Sequence, residues 1–380
     1  MVNLASGAIP VPAEFFGLAS QDWPSTGSAP TFPFGRLTSY DNNRTHWRSL
    51  HTATNTINWA ALDTFVSGAK GAGAVRGTYV VYGCPTFLAS TGAAVAGPYG
   101  GLGEGAHPNN LAQLTYFCQQ FAARNASNWG KFFDVVSLFN EPGVGPSTAP
   151  SASAFEWSTE NQFVDKLWTA YTALKTADAS LLVLTPGYFR LDSLNDSGFV
   201  GLGYLATVAG AVNTTKTGLN CYDGLSSHPY EAVPAGSSVS GRGSISSLEY
   251  GGTLMYGKLV REGKAVSGPI HITEWGFTSG VTAALTAWLA KPAVYRESFI
   301  QCLWIDAMLA GVKSICPWSY GNVANLSGNL TTDDPGSISG MRKIYNACVG
   351  KTIIAPSGIT PSGGRYLTFS DGSTYSVPSP

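Results

Sequence analysis

A chain of 380 residues with 44% hydrophobic content is long enough for one large core, and barrels of ~250 residues or more fold as a single domain. Charged residues make up only 12%, 22 Lys+Arg stand against 23 Asp+Glu, and no basic run or stripe occurs. That balance disfavours a nucleic-acid partner and suits a neutral, polar one, and no stretch of ~18 apolar residues exists to span a membrane.

In chain order, short apolar runs rich in β-branched and aromatic residues alternate with longer helical patterns, the signature of parallel strands and crossover helices. Phe15–Ser20, Phe34–Tyr40, Thr78–Gly83, Asp134–Phe139, Leu181–Thr185, Gly224–Ser227, Pro269–Thr273 and Ser314–Pro317 read as strands. Helical stripes fall between them at Trp59–Val66, Asn110–Asn125, Glu160–Thr176 and Tyr295–Ala310, with Asn110 suited to an N-cap. Eight such strands close a (β/α)8 TIM barrel, so the expected fold class is α/β, with residues 1–350 as a single catalytic barrel. Residues 351–380 change character. Asp371-Gly372 between alternating runs predicts a short C-terminal β tail or hairpin packed on the barrel.

Loops rich in Gly, Ala, Ser and Pro follow several strands, at 89–107, 143–153 and 232–247, where they would crown the C-terminal mouth of a barrel. The six cysteines form no CxxC or Cys/His cluster, which argues against zinc. Their even number permits disulfides, and buried free thiols are the alternative. Met1–Ser6 lacks the basic and apolar regions of a signal peptide. The scarcity of charge and the wealth of Ser, Thr, Gly and Asn nonetheless point to a secreted protein.

Two strand ends carry the chemistry. Val135-Val136-Ser137-Leu138-Phe139-Asn140-Glu141-Pro142 is an apolar strand that ends abruptly in a polar pair and a proline. Desolvation at such a position raises the pKa of a carboxyl group, which suits a general acid. Asn140 there can hydrogen-bond a sugar hydroxyl. Pro269-Ile270-His271-Ile272-Thr273-Glu274-Trp275-Gly276-Phe277 delivers a second glutamate in the same way. On strands four and seven of one barrel, both face one mouth. Two carboxylates across a sugar ring are the minimum equipment for glycoside hydrolysis. Glu274 would attack the anomeric carbon while Glu141 protonates the leaving oxygen and later deprotonates water, with retention of configuration if the two lie ~5–5.5 Å apart.

The Asn-Glu-Pro and Thr-Glu-Trp-Gly motifs resemble those of clan A glycoside hydrolases, nearest the family 39-like and family 5-like branch, over about Phe15 to Tyr345. The resemblance implies a strand-six site at Ser227-His228-Pro229-Tyr230, where the aromatic hydroxyl of Tyr230 bonds the nucleophile. It implies that Trp318 forms the floor of the sugar site and that Arg36 supports the nucleophile. Asp41 and Trp275 are further candidate substrate contacts, though Tyr40–Asn43 also suits a turn. Glu104 and His107 either line a subsite or are solvated.

The expected function is thus a retaining, endo-acting hydrolase of β-linked polysaccharides or oligosaccharides, monomeric and without cofactor or metal. The alternative is an inactive carbohydrate-binding protein on the same fold. A metal-dependent barrel hydrolase is disfavoured, because the five histidines show no HxH or HExxH spacing.

Overall fold

The computed structural model describes residues 2–3, 7–20, 23, 29–39, 44–142, 149–151, 155–189, 221–228, 230–232, 268–278, 289–317 and 334–380. Eight parallel strands run through them: β1 (Gly17–Ala19), β2 (Arg36–Thr38), β3 (Arg76–Val81), β4 (Phe133–Leu138), β5 (Leu182–Leu184), β6 (Leu225–His228), β7 (Ile270–Thr278) and β8 (Ser314–Pro317). β1 to β5 pair in sequence, as do β6 to β8. Single bridges, Leu184 to Gly224 and Phe16 to Ile315, join the two sets at both seams. The circle therefore closes and leaves no free edge, which gives the α/β barrel that the alternating pattern predicted.

The described helices are amphipathic or apolar and pack outside the strands. They include α1 (Ala60–Gly71), α2 (Leu111–Ser127), α3 (Glu160–Ala177), α4 (Ala293–Leu309) and α5 (Pro335–Cys348). Their starts are chemically marked. The side chain of Asn110 accepts from Ala112 N ahead of α2, Thr159 and Gln162 form a capping box on α3, and Asp334 with Pro335 opens α5. Between strand and helix layers the core is aromatic. Tyr79 of β3 stacks on Phe121 of α2 at 4.4 Å, and Trp129 and Phe133 complete the cluster.

The floor of the barrel is polar. Arg36, the first residue of β2, forks onto Asp134 of β4 with bonds of 2.7 and 3.0 Å and also donates to Gly77 O and Thr78 Oγ1. Arg36 is thus an N-terminal-end residue. The expectation that it supports the nucleophile does not hold, because its fork is filled at the end of the barrel opposite the mouth.

After α5 the chain forms β9 (Thr352–Ile359), β10 (Arg365–Phe369) and β11 (Thr374–Val377), an antiparallel sheet that turns at Asp371-Gly372. β9 also pairs with Val2–Asn3 and Ile9–Pro10, so both chain ends share this sheet. Arg365 binds Asp306 of α4 through two buried bonds of 2.6 and 2.7 Å. All six cysteines are free and buried, which decides for thiols over disulfides. Among the described residues no helix is long and apolar enough to cross a membrane.

Candidate active site

The site begins where β4 stops. Phe139 N still donates to Val81 O at 2.9 Å, the last rung to β3. Phe139 and Glu141 then take φ of 63° and 35°, left-handed values on either side of Asn140. A bulky L-residue in that region costs ~1–3 kcal/mol and persists only where its surroundings hold it. The double turn carries the chain from β4 to the segment after β5: Asn140 bridges Gly187, and Glu141 N donates to Gly187 O at 3.0 Å. Asn140 is buried there and Glu141 keeps 11% side-chain exposure, enough to meet a substrate.

β7 presents Glu274 through an irregularity in its pairing with β8, between Ile272 and Trp275. Glu274 is buried at the barrel mouth side of the strand. Trp275 turns the other way and packs on Phe299 and Trp304 of α4 with almost no exposure. It belongs to the outer core, so the expected substrate contact through Trp275 is not available.

His228, the last residue of β6, joins the two glutamates. Its Nδ1 lies 2.8 Å from Glu141 Oε1 and 3.4 Å from Glu274 Oε2. Its Nε2 lies 2.9 Å from Thr273 Oγ1, which is 2.6 Å from Ser226 Oγ. Ser226 and His228 sit two residues apart on one strand and so share its inner face. The ring passes over Gly187, where an added Cβ would stand 2.2 Å from Nε2, so only glycine admits the imidazole. One ligand atom from each of Glu141, His228 and Glu274 falls within 4.8 Å of the others.

Of the sequence-predicted residues, then, the fold brings Asn140, Glu141, His228 and Glu274 together. Tyr230 is described only by its backbone, which pairs with Gly276. Its side chain, Asp41 and Trp318 lie outside the described residues. Thr273 and Ser226 went unassigned at the sequence level, although the two-residue spacing of Ser226 and His228 was a usable signal. The sequence also hid that Glu141, His228 and Glu274 form an O, N, O donor set of the kind a divalent cation takes, since they come from three separate strands.

Loops after β2, β3 and β4 bring a second group to the mouth. The rings of Tyr82, Tyr99, Phe155 and His46 pack on one another at 5.1 to 6.0 Å, apart from the main core. Glu104 is buried beneath them rather than solvated. It accepts from Gly101 N at 2.8 Å and lies 3.8 Å from Arg48 Nε. Burial, together with the neighbouring Glu104, pushes the Tyr82 hydroxyl far above the usual phenol range. Burial and then the charge of Lys166 push His107 down to about 4.

No protein-family profile matches the sequence, and no curated protein sequence matches it. Solved structures match over nearly the full chain. A glucosidase from Croceicoccus marinus has a TM-score of 0.60 and 14% identity, covering 99% of this chain and 83% of that one. A monomeric β-xylosidase from Caulobacter crescentus has a TM-score of 0.61 and 13% identity, covering 96% and 74%. The catalytic domain of a GH30 xylanase C from Talaromyces cellulolyticus has a TM-score of 0.58 and 16% identity, covering 98% and 84%. The chain thus has an α/β-barrel fold like that of these glycosidases; at these identities the likeness is one of fold, and function is argued from the site.

Proposed function

We propose that the protein is a retaining glycoside hydrolase that cleaves β-linked bonds of a polysaccharide or oligosaccharide by double displacement. Glu274 is the nucleophile, Glu141 the general acid and then the general base, and Asn140 a hydrogen-bond partner of the sugar ring. The observation that carries this reading is the convergence of the two carboxylates on His228, with ligand atoms within 4.8 Å of one another. One oxygen of each carboxylate lies within 4.8 Å of the other, which supports the close spacing of retaining enzymes (~5–5.5 Å) over the ~6.5–9.5 Å that inverting enzymes need to admit a water.

The roles follow from placement. Glu274 is the more buried carboxylate and is fixed on a strand, as a nucleophile that must meet one carbon atom should be. Glu141 is more open and bonded to a histidine, as a group that exchanges protons with leaving group and water should be. The neutral composition favours an uncharged glycan, cut within the chain, and an extracellular setting.

Incubation with a panel of β-glucans, xylans, mannans, galactans and microbial exopolysaccharides tests the proposal. One of them releases sugar with the starting anomeric configuration by NMR, and Glu141→Gln and Glu274→Gln each abolish release. Binding of a glycan without turnover would instead indicate a carbohydrate-binding protein. Activity lost to a chelator and restored by a divalent cation would indicate that Glu141, His228 and Glu274 hold a metal.

A further inference from the structure

Lys166 of α3 carries a charge that the mechanism above does not use, and it is as buried as a core leucine. Its ammonium pairs with the equally buried carboxylate of Glu156, on the loop that follows Glu141, and Ser158 donates its hydroxyl to the same carboxylate. Removing two charges from water is costly, and apolar substitutes of similar volume are often at least as stable. Stability alone therefore does not account for the pair.

Its location offers a reason. Lys166 Nζ stands 4.4 Å from the ring centroid of Phe139 and 5.3 Å from that of Phe163. Phe139 is the residue at which β4 turns left-handed. The backbone is pinned on both sides of the turn, at Phe139 N to Val81 O and at Glu141 N to Gly187 O. Between those pins the turn sends the Phe139 ring outward to α3, 5.9 Å from Phe163, and the Glu141 carboxylate inward to His228. A desolvated cation–π contact is of the same order as the strain of a left-handed non-glycine residue, so it can hold the turn. Nearby groups do not compete for the ammonium: burial keeps the Cys84 thiol protonated by raising it to about 12, and His107, pushed down to about 4, is neutral.

We propose that Lys166, anchored by Glu156, is a positioning residue for Glu141: the buried ammonium clamps the Phe139 ring and so fixes the turn that aims the acid/base carboxylate. The inference rests on the reading of Glu141 as general acid.

The test compares two substrates of the sugar found active in the panel: an unactivated glycoside, whose departure needs a proton, and a dinitrophenyl glycoside, whose departure does not. In Lys166→Met, kcat/KM for the unactivated substrate falls about 10- to 100-fold, the penalty of a misplaced catalytic group. For the dinitrophenyl substrate it stays within about threefold, because its first step does not use the acid. Lys166→Arg, which keeps a cation over the ring, recovers most of the loss. If Lys166→Met does not fold, Glu156→Gln, which keeps volume and loosens the anchor, carries the same comparison. Equal losses on both substrates, or no loss on either, overturn the proposal. Failure of Glu141→Gln itself to discriminate between the two substrates overturns the acid assignment instead, and so separates the two claims.

Discussion

The hydroxyl of Thr273 lies 2.9 Å from Nε2 of His228, so the residue before one carboxylate in the chain steadies the ring that touches the other. With Ser226 behind it, this contact fixes which face and which nitrogen the imidazole turns to Glu141.

Thr273→Val keeps the shape of the side chain and removes the hydroxyl. Leaving a buried imidazole nitrogen without that partner costs ~1–3 kcal/mol, so kcat/KM should fall by about one to two orders of magnitude. Steady-state kinetics on the active glycoside checks this. Wild-type rates in Thr273→Val would show that the ring is held by other contacts.

Gly187→Ala tests the close approach of the same ring. The new methyl would meet Nε2 at 2.2 Å, so the imidazole must leave its place. A fold that accommodates the methyl by a shift costs ~1–3 kcal/mol, and activity should drop far more than thermal stability. Parallel melting curves and kinetics distinguish the two effects.

Glu274→Ala should be almost inactive and should regain turnover with azide, giving a glycosyl azide of inverted configuration. Glu141→Gln should lose about 10²–10⁴ in rate on unactivated substrates, the usual contribution of a general acid. NMR of the azide product decides the first; absence of any glycosyl azide would remove Glu274 from its role.

Burial lowers three histidines, His51, His107 and His271, and the last two give the fold its clearest acid limit. His271, beside Ser314 Oγ at 2.8 Å, is driven well below its usual range by burial and then by Arg36 and Lys313, and His107 is driven to about 4. Both stay neutral in the folded protein, while in the unfolded chain they protonate near ~6.5. The unfolded state therefore binds more protons, and stability declines as the pH falls below ~6.5, the His107 share being complete near 4. Denaturant titrations at several pH values should show a shallower decline in His107→Gln. An unchanged slope would place the acid sensitivity elsewhere.

Arg36→Met should cost ~1–3 kcal/mol, the value of hydrogen bonds to a charged group whose partner Asp134 is partly exposed. The folded fraction should keep its kcat and KM, because the Arg36 fork lies at the opposite end of the barrel from the glutamates. Altered kinetics would return Arg36 to the site.

The barrel was legible because each strand is a short apolar run that ends in turn residues, a pattern local to the chain. The glutamates were legible for the same reason: each is the first charged residue after such a run. Trp275 was not, because strict alternation fails at the irregularity between Ile272 and Trp275, and spacing alone does not show which way the ring turns. Arg36 was misplaced because its partner Asp134 is 98 residues away. The left-handed pair Phe139 and Glu141 left no trace either, since neither is a residue type that signals such a backbone.

The Arg365 fork on Asp306 has a consequence for anyone who shortens the chain. A stop codon near position 350 would delete the cation and leave a carboxylate, 2% exposed, in the interior of α4. Removing one partner of a buried ion pair costs ~3–5 kcal/mol, a large part of the stability of an ordinary domain. Truncation for expression or crystallisation should therefore spare the last thirty residues, or replace Asp306 with an uncharged residue in the same step.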